Sequence, residues 1–255
     1  LIAIATHDKE TPAKAGVLLS GIQNSETVYV IGLGVPTNTT PVKFSKLSPI
    51  LIQVQIMKPE LKFAAQVIAV ALVTVVITQM IYVALGGGGQ SHIAYPIWRI
   101  EALSAMVVSL LSFVIMSRNI LVGGCLLVAG IFNVIQTGMG LMMFYQLGYA
   151  GEESPNPVFF PVLRMSFYLY YAAKAALGVA AFVLGLALWQ VNANGIWRVV
   201  GLLSALAGVG AILLNVAAML LGLGAVPFAG AIGVVAALFT AAALVRVMST
   251  PSDAA

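Results

Sequence analysis

The chain has 255 residues, 61% of them hydrophobic and only 8% charged, with a mean hydropathy of +1.04 and a net charge of +4. A soluble domain carries about 25% charged residues, so the composition excludes a water-soluble globule and describes a chain whose solvent is lipid. The positive surplus sits largely on lysines ahead of the first apolar run, where it reads as a membrane-topology signal and not as a nucleic-acid footprint.

Residues 1–61 read as an extramembrane region. Its opening stretch, LIAIATHDKE, lacks the basic segment and the long apolar segment of a signal peptide. GVLLS at 16–20, TVYVIGL at 27–33 and ILIQVQIM at 50–57 have the composition of short strands; QNSE serves as a hairpin connection and PTNTTP at 36–41 as a loop. Three short strands bury little apolar area alone. Two readings therefore stand together: a small β-containing cap, or an extended arm ordered against a partner.

A transmembrane domain over 62–248 follows, with apolar runs at about 63–85, 97–116, 120–147, 164–190, 197–221 and 227–248. Each approaches or exceeds the roughly 20 residues needed to cross a bilayer, giving an all-α integral membrane protein of six transmembrane helices. GGGGQSHIAYP, SRN, GYAGEESPNPVFFP, QVNANG and GLGAVP separate the runs, and 249–255 forms a solvated tail. Tyr95 and Trp98, Tyr145 and Tyr149, and Trp189 and Trp197 mark span ends as an interfacial aromatic belt. Lys43, Lys46, Lys58, Lys62, Arg118, Arg198 and Arg246 fall on the amino-terminal side, against Arg99 and Arg164 opposite, which places both termini in the cytoplasm if the membrane is a plasma membrane.

Two blocks recur. FAAQ at 63–66 and IWRI at 97–100 are echoed by YAAK at 171–174 and IWRV at 196–199. A 3+3 inverted repeat is one explanation, as in many transporters; chance matching of small apolar residues is the other.

Lys174 is the residue that most demands an account. It lies ten residues beyond Arg164, about 15 Å deeper along a helix. A charge near mid-bilayer costs at least ~2.5 kcal/mol. Glu101, one turn into the second span, is the acidic residue able to offset it, and Tyr170 and Tyr171 share the helix neighbourhood of Lys174. A Glu101–Lys174 ion pair is the functional expectation; a bundle-stabilising polar contact, or a lysine snorkelling from a tilted helix, is the structural one. In the third span Asn133, Gln136, Thr137 and Gly140 follow i, i+3, i+4, i+7 spacing and form one stripe. Gln66, Thr74, Thr78 and Gln79 in the first span and Asn215 in the fifth add polar groups that either line a narrow path or join helices by hydrogen bonds. Ala181 with Gly185, and Gly201 with Ala205, are spaced to let helix backbones approach closely.

Glu152, Glu153, Phe159 and Phe160 lie in or beside the longest loop between spans and read as partner contacts. His92 is a weak metal candidate. It and His7 fall on opposite sides, which excludes a bis-histidine haem, and the single Cys125 excludes an iron–sulfur cluster or a cysteine-rich zinc site. The glycine run 86–89 lacks the GK[ST] of a phosphate loop. No catalytic constellation is visible and no cofactor is specified, although a lipid, quinone or other apolar molecule would suit the composition. The expected partners are membrane lipids and either other integral membrane proteins or further copies of the chain, with no nucleic acid. The leading functional expectation is a non-catalytic subunit that packs and stabilises a larger membrane complex. The alternatives are a small transporter or channel with its path near Lys174, and a subunit of a membrane redox enzyme.

Overall fold

The computed structural model describes residues 58–85, 91–148, 156–190, 195–222 and 224–249. The expected strands of the amino-terminal region, Glu152, Glu153, the glycine run and the tail lie outside the described residues, as does the side chain of His92.

Six long helices make the domain: α1 (Lys58–Ala84), α2 (Ser91–Met116), α3 (Ile120–Met139), α4 (Phe159–Gln190), α5 (Gly195–Leu221) and α6 (Ala229–Ser249). A π-helical turn, Gly140–Phe144, and a last α-turn, Tyr145–Gly148, extend α3. Every one of the six is long and apolar enough to cross a membrane. The protein is thus a multi-pass integral membrane protein in contact with lipid. Six crossings put the start of α1 and the end of α6 on one face, here called proximal. The α1–α2, α3–α4 and α5–α6 connections lie on the distal face.

Three helices begin earlier than hydropathy alone predicts, and each extension contains a proline. Pro59 occupies the first turn of α1, where its missing N–H costs nothing, and Glu60 beside it complements the positive end of the helix. Pro96 lies within the early turns of α2 and is exposed. It removes one intrahelical bond close to the membrane surface, where water can replace it. Pro161 falls in the first turn of α4. That helix is launched by Asn156, whose side-chain oxygen accepts from Val158 N–H at 2.9 Å and whose carbonyl accepts from Phe159 N–H at 2.8 Å. Pro59 and Pro161 thus belong to helix starts, whereas Pro96 lies inside α2. Between α2 and α3 the turn is short because Asn119 caps α3, accepting from Val122 N–H at 3.0 Å.

The helices pack as a ring. α1 contacts α2 and α6, α2 contacts α3, α3 contacts α4, and α4 closes the circuit against α6. α5 stands outside, packed on α4 and α6. The core inside the ring runs through Ile68, Leu72 and Val76 of α1, Val108 and Ile115 of α2, Leu126 of α3, Leu177 and Leu184 of α4, and Leu244 of α6. The opposite face of α1, with Phe63, Val70, Ile77 and Met80, is exposed, as are Leu110 and Phe113 of α2 and Leu213 and Leu220 of α5. In a bilayer those side chains meet acyl chains.

α4 and α5 approach so closely that glycines are needed at their points of contact. A Cβ on Gly208 would lie 2.5 Å from the Gly178 carbonyl oxygen and 2.6 Å from the Phe182 nitrogen, and one on Gly185 would lie 2.6 Å from the Gly201 oxygen. The expected small-residue pairs thus face each other, and Ser204 adds a 2.8 Å hydrogen bond to the Ala181 carbonyl across the seam.

Gly208→Ala should therefore force α4 and α5 apart and lower the Tm in detergent by about 3–10 °C. Gly124→Ala, where an added Cβ meets nothing within 4 Å, should leave the Tm unchanged or raise it by a few degrees, since alanine is the better helix former by about 0.5–1 kcal/mol. Equal losses in the two variants would contradict this account of the seam.

Candidate functional site

Lys174 lies midway along α4, about 22 Å from either end. It is wholly enclosed, with 0% of its surface exposed. Side chains on a helix lean toward its amino terminus, so Lys174 climbs toward the distal face. Its stem is accommodated by a missing side chain on α6: a Cβ on Gly233 would lie 2.7 Å from Lys174 Cβ and Cγ and 2.9 Å from Cδ.

Two groups receive the ammonium. Lys174 Nζ donates to Gln79 Oε1 of α1 at 3.0 Å, and it lies 5.2 Å from the centre of the Tyr170 ring one turn earlier on its own helix. The ring's negative face attracts a cation, more so where water is excluded. Gly230 of α6 leaves space beside the Tyr170 hydroxyl.

Glu101 is also buried, with 6% exposed. Thr78 Oγ1 donates to Glu101 Oε1 at 3.0 Å, in competition with its own helix carbonyls at Val75 (2.9 Å) and Thr74 (3.1 Å). Thr78 and Gln79 are consecutive residues. One edge of α1 therefore serves the carboxyl through Thr78 and the ammonium through Gln79. For the Glu101–Lys174 ion pair expected from sequence, the described hydrogen bonds run from each group to α1, through Thr78 and Gln79. Glu101 and Lys174 remain close enough for their opposite charges to attract.

The other sequence candidates divide. Asn133 is buried and lines a small cavity with Lys174. Thr137 turns back into its own helix, donating to the Asn133 carbonyl at 2.7 Å, and Gln136 is half-buried and makes no described contact with the lysine. Tyr170 meets the ammonium, but Tyr171 turns away to pack with Ala218 and Ala229 on α5 and the start of α6. Helix geometry explains the split, because residues one apart point about 100° from each other. Phe159 and Phe160 join an aromatic chain at the distal ends of four helices, in which Tyr82, Trp98, Phe144, Phe159 and Phe160 follow one another at centroid distances of 5.5–6.0 Å. Gly140 admits Trp98 to the surface of α3, since a Cβ there would stand 3.0 Å from the indole. Among the described residues no group of three or more His, Cys, Asp or Glu is placed to hold a metal.

Gln79 and Thr78 were visible in the sequence as polar residues of the first span, but nothing there paired them with Lys174 and Glu101. Gly233 carried no signal at all.

A double-mutant cycle isolates the fit between Lys174 and Gly233. Gly233→Ala should cost about 1–3 kcal/mol in the parent protein, through overpacking against the lysine stem. In a Lys174→Ala background, where the stem is gone, it should cost close to nothing. Unfolding in detergent measures both legs, and an additive cycle would contradict the packing described here. Comparison with protein-family models, with curated proteins and with solved structures gave no match, so the chemistry of this site rests on its own residues.

Proposed function

We propose that the protein is a non-catalytic integral membrane subunit that packs and stabilises a larger membrane complex, with lipid or another apolar molecule against its helical faces. The observation that supports this most directly is the closed interior. Lys174 is fully enclosed, and the cavity beside it measures about 10 Å³. That is room on the scale of a water molecule. A buried polar centre of this kind is better suited to specificity than to raw stability, because replacing it with apolar side chains often leaves stability equal or higher. What it supplies is register: one rotation and one height of α1, α2 and α4 let Thr78 meet Glu101 while Gln79 meets Lys174. A helix bundle held in one register offers partner helices a fixed outer surface. Phe159 and Phe160, on the distal rim, and the loop carrying Glu152 and Glu153 belong to the same proposal as partner contacts.

Purification of the full chain in a mild detergent, followed by native mass determination, tests it. The expected species contains other integral membrane chains or further copies of this one. A stable lone monomer overturns the subunit reading.

A small transporter or channel is the second reading, favoured by one observation: a carboxyl and an ammonium, each with its own α1 partner, sit inside a ring of helices. Here the closed interior would be an occluded state. The 3+3 inverted repeat belongs to this reading. With α1, α2 and α3 matched to α4, α5 and α6, each packed pair has its counterpart except one, since α4 packs on α6 while α1 and α3 do not pack to a comparable extent. In proteoliposomes, proton or monovalent-ion flux that is lost in Lys174→Met would move the weight to transport.

Orientation follows from charge. Lys58, Lys62, Arg118, Arg198 and Arg246 fall on the proximal side, against Arg99 and Arg164 on the distal one, a bias that favours a cytoplasmic proximal face if the membrane is a plasma membrane. In a Cys125→Ser background, a membrane-impermeant maleimide should label Asn156→Cys in intact cells and leave Ser117→Cys unlabelled until the membrane is opened. The opposite pattern would invert the topology.

A further inference from the structure

The polar residues of α1 divide between its two sides. Thr78 and Gln79 turn inward to Glu101 and Lys174. Gln66 is exposed on the outer side, and its carboxamide makes no hydrogen bond to another described residue. Lys62 and Tyr82 stand about 30 Å apart along the helix, the thickness of the hydrocarbon layer. Gln66, one turn beyond Lys62, therefore falls inside that layer, where no acyl chain can donate to a carboxamide or accept from it. It belongs to a longer pattern. Phe63, Gln66, Val70, Val73, Ile77 and Met80 are all exposed, and they succeed one another at alternating intervals of three and four residues. That is the spacing of a coiled-coil seam, with Phe63, Val70 and Ile77 in one set of positions and Gln66, Val73 and Met80 in the other. Thr74, beside the seam, is satisfied within its own helix by the Val70 carbonyl at 2.9 Å. Gln66 is thus the one seam residue that lipid leaves without a partner.

We propose that the outer seam of α1 is a homodimer interface, where α1 packs in parallel against α1 of a second copy and the two Gln66 carboxamides exchange hydrogen bonds. The chemistry of Gln66 selects this occupant. A carboxamide carries both a donor and an acceptor, so it is complementary to itself: Nε2 of each donates to Oε1 of the other. All copies of one chain cross the membrane in the same direction, so a two-fold axis along the membrane normal brings like seam positions together. The apolar seam residues then interdigitate on either side of the glutamine pair. Polar side chains of this kind join membrane helices, and a single one in a seam fixes register and partner number. In a single chain, acyl chains serve the five apolar members of the seam but not Gln66; a second copy serves all six. The proposal rests on the subunit reading and names one partner in the complex. It also braces from outside the helix that carries Thr78 and Gln79 on its inner side.

Disulfide trapping of the full chain in native membranes, in a Cys125→Ser background, tests the interface. Under mild oxidation by copper phenanthroline, Val70→Cys should yield a species with the mass of two chains. Leu110→Cys on α2 and Leu213→Cys on α5, at positions about as exposed as Val70, should stay monomeric. No cross-link at Val70→Cys, a cross-link to a chain of different mass, or equal cross-linking at all three positions overturns the proposal. Gln66→Leu should lower the cross-linked fraction of Val70→Cys several-fold, whereas Gln66→Asn, which keeps the carboxamide, should retain most of it. A glutamine that reaches the headgroups instead would make Gln66→Leu neutral, and an unchanged cross-linked fraction in that variant overturns the glutamine pair. The two readings fail separately. A larger complex by native mass with no cross-link at Val70→Cys rejects this interface alone, and a lone monomer rejects the subunit reading with it.

Discussion

The structure turns on one electrostatic constraint: an ammonium at the middle of a helix that crosses lipid. A bare charge there costs several kcal/mol or more, and no acyl chain can lower that cost. The protein meets it by enclosure. Lys174 is covered completely, and every part of the side chain has an assigned neighbour. The stem rests against Gly233, and the head meets Gln79 and the Tyr170 ring. Because those neighbours come from α1, α4 and α6, the charge is satisfied only when these helices of the ring come together. The lysine is thus a condition on assembly as much as a feature of one helix.

Enclosure has geometric consequences elsewhere. A helix that carries a buried lysine toward the ring's axis must be held firmly from behind. α4 is the most enclosed of the six, with half of its apolar stretch buried. Its rear surface is the glycine seam with α5, where Gly178 and Gly185 oppose Gly208 and Gly201. In lipid there is no hydrophobic force to press helices together, so close backbone approach and dispersion must serve instead. This explains why α5 carries small residues on its inner edge and no polar link to the lysine: its task is to brace α4. The ends are fixed differently. Distally the aromatic chain from Tyr82 to Phe160 ties four helices. Proximally Arg198 stacks over Trp189 at 5.1 Å and Arg246 over Trp197 at 5.6 Å, joining α4, α5 and α6 where lipid headgroups would lie.

Much of this was legible in the amino-acid sequence, and the missing part has a physical cause. Spans are legible because crossing lipid demands length and apolarity, which composition records. Lys174 stands out because an ammonium in such a run has no passive explanation. The small-residue pairs on α4 and α5 are legible by spacing. Helix starts at 58, 91 and 159 were missed because each added stretch carries a proline, in the first turn of α1 and α4 and one turn further in on α2, and those of α1 and α2 are more polar than the apolar runs. The partner of Lys174 was missed for a deeper reason. α1 is apolar nearly all round, so periodicity does not reveal which side faces inward. Gln66, Thr74, Thr78 and Gln79 looked equivalent, yet Gln66 faces outward and Gln79 meets the ammonium. Gly233 is one of 25 glycines, and only the neighbouring lysine distinguishes it.

The arrangement of Thr78 and Gln79 carries the reasoning one step further. A direct ion pair between Glu101 and Lys174 would have satisfied both charges with two residues and left α1 free to rotate. Routing the contact through two adjacent residues of α1 instead makes the state of both ionisable groups depend on that helix's position. A screw displacement of α1 by one residue moves the Thr78 hydroxyl and the Gln79 amide by about 1.5 Å along the axis and turns them by about 100° about it, which breaks both hydrogen bonds together. Nor does Thr78 lose everything when it leaves Glu101, since the carbonyls of Val75 and Thr74 are already within reach of its hydroxyl. Gln79 has no such local alternative described, so the cost of moving α1 falls mainly on the ammonium. The lysine therefore governs where α1 can sit, and the carboxyl follows.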